Sequence, residues 1–340
     1  MPLTSLVNIL YLDAEQRGPA AGRRWMTLSQ RSLLAFICVS LLAHASAVAP
    51  PYHSAHEPDD GYVWLTVGDI NNPKFEGHAG WFEGRGSIPY EYRIAQTEVL
   101  TPQHLEFVRA YWPWYDGDPL SEDFLGLFIY GRRQGNGYVF EVMSGWEDAP
   151  NTMSLRMAAR FCNWLHNGKV NEQWAFDKGV YDASTFTRNP DGSYNDDYTR
   201  SPDARYWIPD AGEWLKAVFY DPNRYGPGEG GWWNRPGSSD SSLKIGYPAE
   251  GGQTNASLWE WYSSRLPAGM YPHIQTPWGL LDASGGVSEH TSDGYALGST
   301  FLDQDVFVDL FDTAGQVHTF TYDRPERGYL DGLRLAKRRR

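Results

Sequence analysis

Thirty-five glycines and 22 prolines are spread along 340 residues, and they leave little room for long helical periodicity. A chain so punctuated folds through turns and short strands. Its 15 tryptophans and 21 tyrosines then suit an irregular core filled by rings. Three helices are still expected. Thr101-Pro102 reads as a cap and first-turn pair, with Leu105, Val108 and Trp112 on one face. Ser154 caps a second, whose buried stripe is Leu155, Ala158, Cys162 and Leu165 and whose end is Asn167-Gly168. Asp210 and Glu213 form a capping-box pair opening a third, with Trp214 and Val218 facing inward. Strands are expected over 62–67, 91–98, 124–130, 138–142, 306–311 and 317–322. Residues 182–205 and 221–257 read as long, polar surface excursions with few apolar anchors. Neither an internal repeat nor a linker is visible, and the predicted fold class is one mixed α+β domain.

The apolar run Leu33 to Ala43 follows Arg31 and precedes the small residues Ala45-Ser46-Ala47-Val48-Ala49. Basic, apolar and small in that order is a secretory signal, and the run is too short to span a bilayer. The chain is therefore expected to be exported, to the periplasm, the cell surface or the medium. An uncleaved anchor is the alternative. Residues 1–49 form the leader, with Met26 a more ordinary start than Met1. Residues 50–61 read as a flexible N-terminal segment, 62–336 as the domain and 337–340 as a basic, solvated tail.

Cleavage removes Cys38 and leaves Cys162 alone, so no internal disulfide is expected. On the stripe of its helix, Cys162 reads as a core residue rather than a nucleophile. Without Arg17, Arg23, Arg24, Arg31, Asp13, Glu15 and the four basic tail residues, 21 of the 29 basic side chains and 40 of the 42 acidic ones remain. That body, about −19, repels phosphate backbones and anionic lipid heads, which argues against a nucleic-acid partner.

Five blocks, in order, resemble one family. They are Tyr92-Arg93-Ile94-Ala95-Gln96-Thr97-Glu98-Val99 with Gln103-His104-Leu105-Glu106-Phe107; Ala158-Ala159-Arg160-Phe161-Cys162-Asn163-Trp164-Leu165; Tyr206-Trp207-Ile208-Pro209-Asp210-Ala211-Gly212-Glu213-Trp214; Thr276-Pro277-Trp278-Gly279-Leu280-Leu281-Asp282-Ala283-Ser284-Gly285-Gly286-Val287-Ser288-Glu289-His290; and Gly332-Leu333-Arg334-Leu335-Ala336. Together they are similar to the sulfatase-modifying-factor domains, the formylglycine-generating-enzyme type, in an exported bacterial branch. The resemblance covers about 62–336 and implies a C-type-lectin-like α+β fold, low in regular secondary structure.

In calcium-binding members the fourth block supplies ligands. Carried over, these are the carboxylates of Asp282 and Glu289 and the backbone carbonyls of Gly285 and Val287, a hard-oxygen set that suits a structural calcium ion. A second calcium site is only partly matched, by Asn255 and Ala256. Asn255-Ala256-Ser257 is also a glycosylation sequon. The family's oxidases use a cysteine pair that binds copper, after a block whose counterpart here is Leu297-Gly298-Ser299-Thr300-Phe301. No cysteine follows it, so neither copper nor formylglycine synthesis is expected. Iron, used by related sulfoxide synthases through three histidines, is the alternative chemistry. His290 is the histidine to watch for it, and His53-Ser54-Ala55-His56 reads as a tail. Two functions stay open: a calcium-stabilised recognition module for a protein or glycan, and a diverged metal-dependent oxidoreductase of non-haem iron type. Residues 111–115 and 230–234, with Trp114 and Trp232, are candidate stacking platforms, although rings in an irregular fold are commonly core.

Overall fold

The largest sheet is built from pieces far apart in the chain. A computed structural model describes residues 55, 56, 60–76, 82–258, 266–301 and 330–339. All lie in one unit, Pro50–Arg340. Strands β1 (Ala55–His56), β2 (Val63–Val67), β3 (Tyr92–Ala95), β6 (Tyr206–Trp207) and β12 (Ala336–Arg338) form a five-stranded antiparallel sheet in the order β1-β2-β3-β12-β6. Trp64 stands opposite Ala95, Leu65 opposite Ile94, and Ala336 between Ile94 and Trp207. The chain's last described strand is therefore interior to its sheet.

Two corrections to the sequence reading follow. Lys337 is not part of a solvated tail, and Arg338, although exposed, is paired with Tyr92 in the sheet. Lys337 is 4% exposed, lies 4.5 Å over the Trp64 ring and pairs with Asp60 at 3.1 Å. The stem packs on an aromatic face while the ammonium meets a carboxylate, so a basic residue fits inside a sheet. Within the supposedly flexible segment 50–61, Ala55 and His56 pair with Trp64 and Val63.

Helices α3 (Leu155–His166) and α5 (Ala211–Phe219) bury the stripes that periodicity foretold; α1 (Thr101–Tyr111) buries Leu105 and Val108, but Trp112 follows its end in a 3-10 turn and is half-buried, and α2 (Glu122–Leu125) and α4 (Gln173–Asp177) are short. Ser154 caps α3 by accepting from the Met157 N–H at 3.2 Å. Asp210 and Glu213 close a reciprocal capping box on α5, at 2.8 and 2.9 Å. Thr101 is not the cap of α1. Leu100 occupies that position with Gln103 reaching back to its N–H, and the Thr101 hydroxyl donates to the Ala149 carbonyl. The strand expected over 124–130 begins only at Ile129, since Ser121 followed by Glu122 and Asp123 opens α2 and Gly126, at φ 68°, ends it. The strands expected over 306–311 and 317–322 lie outside the described residues.

Rings dominate the core. Phe107 meets Phe161 at 5.3 Å, Tyr111 at 5.4 Å and Trp164 at 5.8 Å between centroids, which joins α1 to α3. Cys162 is fully buried there and burial pushes its thiol up, as suits a core residue. The excursion over 182–205 is anchored after all. Phe186, Tyr198 and Ala204 are buried, Arg156 pairs with Asp196 at 2.7 Å, and Arg200 stacks 4.3 Å over Trp207 while pairing with Glu213.

The site-bearing block follows from a second, three-stranded sheet. Here β9 (Ser288–His290) lies between antiparallel β10 (Ala296–Leu297) and parallel β11 (Asp331–Gly332). Gly332 stands opposite Glu289, so the closing block of the chain meets the site block side by side.

Candidate functional site

The Asp282–Glu289 segment turns sharply before entering β9. Asp282, Gly285 and Gly286 hold φ of 56°, 89° and 68°. Asp is among the residues that tolerate the left-handed region, and Gly enters it freely. Gly285 is also required by space, because an added Cβ would stand 2.0 Å from Asn255 Oδ1. The turn is pinned by the Gly286 N–H donating to Asn255 Oδ1 at 2.9 Å and the Gly285 N–H donating to Ser299 Oγ at 3.0 Å. Thr254 Oγ1 donates to the Ser284 carbonyl at 3.0 Å. Asn255 is thus a 6%-exposed part of the scaffold, which disfavours glycosylation of the folded chain at its sequon. Ala256 is fully buried beside it, and its N–H donates to Thr254 Oγ1.

The two carboxylates of this segment go to different places. Asp282 lines a shallow cleft of about 10 Å³, with Gln253, Tyr271, Ile274, Thr276 and Ser284 among its other walls. Its Oδ2 accepts from the Gly269 N–H. Among the described residues no hydrogen bond engages Oδ1, and burial raises the carboxyl's affinity for its proton. Tyr271 donates to the Gly246 carbonyl at 3.0 Å, which holds its ring on the cleft wall.

Glu289 points inward instead, 1% exposed. Arg334 Nε lies 2.9 Å from both of its oxygens and Nη2 lies 2.6 Å from Oε1, while Trp214 Nε1 donates to Oε2 at 2.5 Å. Val287 is buried with its methyl group against Gly332. Calcium wants six to eight oxygens. Here the Glu289 carboxylate is taken by Arg334 and Trp214, Asn255 Oδ1 by a backbone N–H, and one Asp282 oxygen by another. So placed, these side chains do not fit the ion the resemblance implies. Among the described residues no group of three or more His, Cys, Asp or Glu side chains is arranged to hold a metal.

Two residues of this centre were not singled out in the sequence. Glu98 is fully buried, 3.5 Å from Arg334 Nη2, with neither oxygen hydrogen-bonded. Arg334 is fully buried as well. Both lie inside blocks that carry the family resemblance, and that was the only signal pointing to them. His290 is buried with Nε2 2.7 Å from the Met153 carbonyl and Nδ1 unpartnered, and burial depresses its basicity. Trp114 is 37% exposed, while Trp232 packs into the fold, its ring against Gly86 and 5.1 Å from Tyr220. They form no shared platform in the described contacts.

No protein-family model matches the chain, and no curated protein matches its sequence. Among solved structures, the chain is similar to one titled "Crystal Structure of CarF", at TM-score 0.44 and 18% identity, over 83% of this chain and all of that one. It is also similar to Treponema denticola variable protein 1, at TM-score 0.44 and 15% identity, over 82% of this chain and 95% of that one. The described residues are a mixture of helix and sheet, low in regular secondary structure and compatible with α+β. None of their helices is long and apolar enough to cross a membrane.

Proposed function

We propose that this chain is an exported recognition module on a sulfatase-modifying-factor-like scaffold. It binds a hydroxyl-rich glycan on the surface around Asp282, with a ligand hydroxyl reaching into the shallow cleft, and makes no formylglycine. The family reading is supported by the five blocks, each of which includes a core element: β3 with α1, α3, β6 with α5, β9, and β11 with β12. The absence of any cysteine after Cys162 argues against thiol-dependent oxidation.

The observation that carries the binding reading is the Asp282 carboxylate. One oxygen is fixed by a backbone N–H and the other has no donor among the described residues, on a backbone held at φ 56°. Beside it stand Gln253, whose Oε1 accepts from the Lys244 N–H and whose amide N–H groups remain to donate, the Tyr271 ring, and the buried hydroxyls of Thr276 and Ser284, which are bonded within the fold. Fixed acceptors, amides and an aromatic wall are the groups that hold sugar hydroxyls and stack on sugar faces.

Labelled full-length chain on a glycan array, followed by calorimetric titration of the ligands found, tests this. A charge-assisted hydrogen bond is worth about 1.5–3 kcal/mol, so Asp282→Asn should weaken binding by roughly 10–100-fold. Glycan binding indifferent to Asp282→Asn, a protein ligand in place of a glycan, or conversion of a peptide thiol to an aldehyde would overturn the reading.

A further inference from the structure

The geometry points to Arg334 as the resident cation of the charged core: we propose that its guanidinium fixes Glu289 in the place a divalent ion would otherwise need, so that Glu289 ligates no calcium. This goes beyond the binding reading and stands whether or not Asp282 holds a glycan.

A guanidinium has five N–H donors and no acceptor. In this chain each has a partner. Nε and one Nη2 hydrogen go to the Glu289 carboxylate as a fork, the other Nη2 hydrogen goes to the Leu281 carbonyl at 2.9 Å, and Nη1 serves the Ala95 and Gln96 carbonyls at 3.2 and 2.6 Å. Buried polar groups are costly unless satisfied, and complete satisfaction at zero exposure marks a position built for this side chain. The same five bonds tie the end of β3, the site turn and β9 to the closing block. Trp214 of α5 saturates Glu289 from the other side. For calcium to use Glu289, that fork would have to open and leave the buried guanidinium facing only Glu98, 3.5 Å away and not hydrogen-bonded, which is unfavourable.

The test is calcium binding by the purified full-length chain, read by calorimetry and by thermal melting in chelator and in excess calcium, for the wild type and Glu289→Gln. No stoichiometric calcium and a melting temperature that agrees within about 1 °C in both conditions would support the proposal. Calcium bound equally well by Glu289→Gln would also support it, since the ion would then sit elsewhere. Calcium bound by the wild type and lost in Glu289→Gln, with melting lowered by chelation, would overturn it. Should Glu289→Gln fail to fold, Glu289→Asp takes its place, and calcium bound by the wild type but at least tenfold more weakly by Glu289→Asp overturns the proposal.

Discussion

Glu98 has two fully buried oxygens and no hydrogen bond to either. Burial pushes its carboxyl well above the usual range, Arg334 pulls it back, and Asp282 and Glu289 push it further up. The folded form therefore holds this proton more tightly than the unfolded chain. Its contribution to stability is complete below about pH 4.5 and is lost as pH rises toward the folded value. Glu98→Gln should flatten that decline and raise stability at pH 8 by about 1–3 kcal/mol, the cost of an unsatisfied buried group. Urea unfolding from pH 5 to 9 measures it, and a profile parallel to wild type would contradict it. His104 acts on the acid side. Asn151 is oriented by the Leu125 carbonyl and the Phe128 N–H, so its amide N–H donates to His104 Nδ1 at 2.8 Å, which keeps that nitrogen unprotonated. Burial pulls the imidazole from 6.5 down to about 3. Its contribution is present above pH 6.5 and is lost as pH falls below it, by about 1.4 kcal/mol per unit. His104→Gln should flatten stability between pH 6.5 and 4; an unchanged acid limb in the same unfolding experiment would refute this.

At the scale of elements, β12 is the sharpest test, because its charge pointed to solvent and its place is between β3 and β6. Removing residues 337–340 should cost about 2–4 kcal/mol, from lost ladder hydrogen bonds and the Lys337 contacts to Trp64 and Asp60. Calorimetric melting of the truncated chain checks it, and an unaltered melting temperature would show that the strand contributes nothing. What was legible here was local. Caps such as Ser154 and the Asp210–Glu213 box act within one turn, so their residues suffice to place α3 and α5. Sheet order was not legible, since β12 finds β3 across about 240 residues and no pattern in either strand states its partner. The same holds for the site. Asp282, Gly285 and Glu289 could be picked out from one segment. That Asp282 opens to a cleft while Glu289 turns to Arg334 depends on a parallel pairing with β11 and a reach to β3.

For the whole molecule, the charged interior of the described residues is neutralised by side chains of the chain itself. Among the described residues the one cysteine, Cys162, is free and buried, so no disulfide constrains them and their stability rests on ring packing and on the buried hub of Arg334. A double-mutant cycle on Glu289→Gln and Arg334→Met, by urea unfolding in chelator and in excess calcium, measures that hub directly. Each single change should destabilise by about 3–5 kcal/mol, because the partner is left buried and uncompensated. The double variant should recover part of that loss, with a coupling above about 2 kcal/mol. A coupling near zero, or single-variant losses that appear only once calcium is removed, would contradict the account.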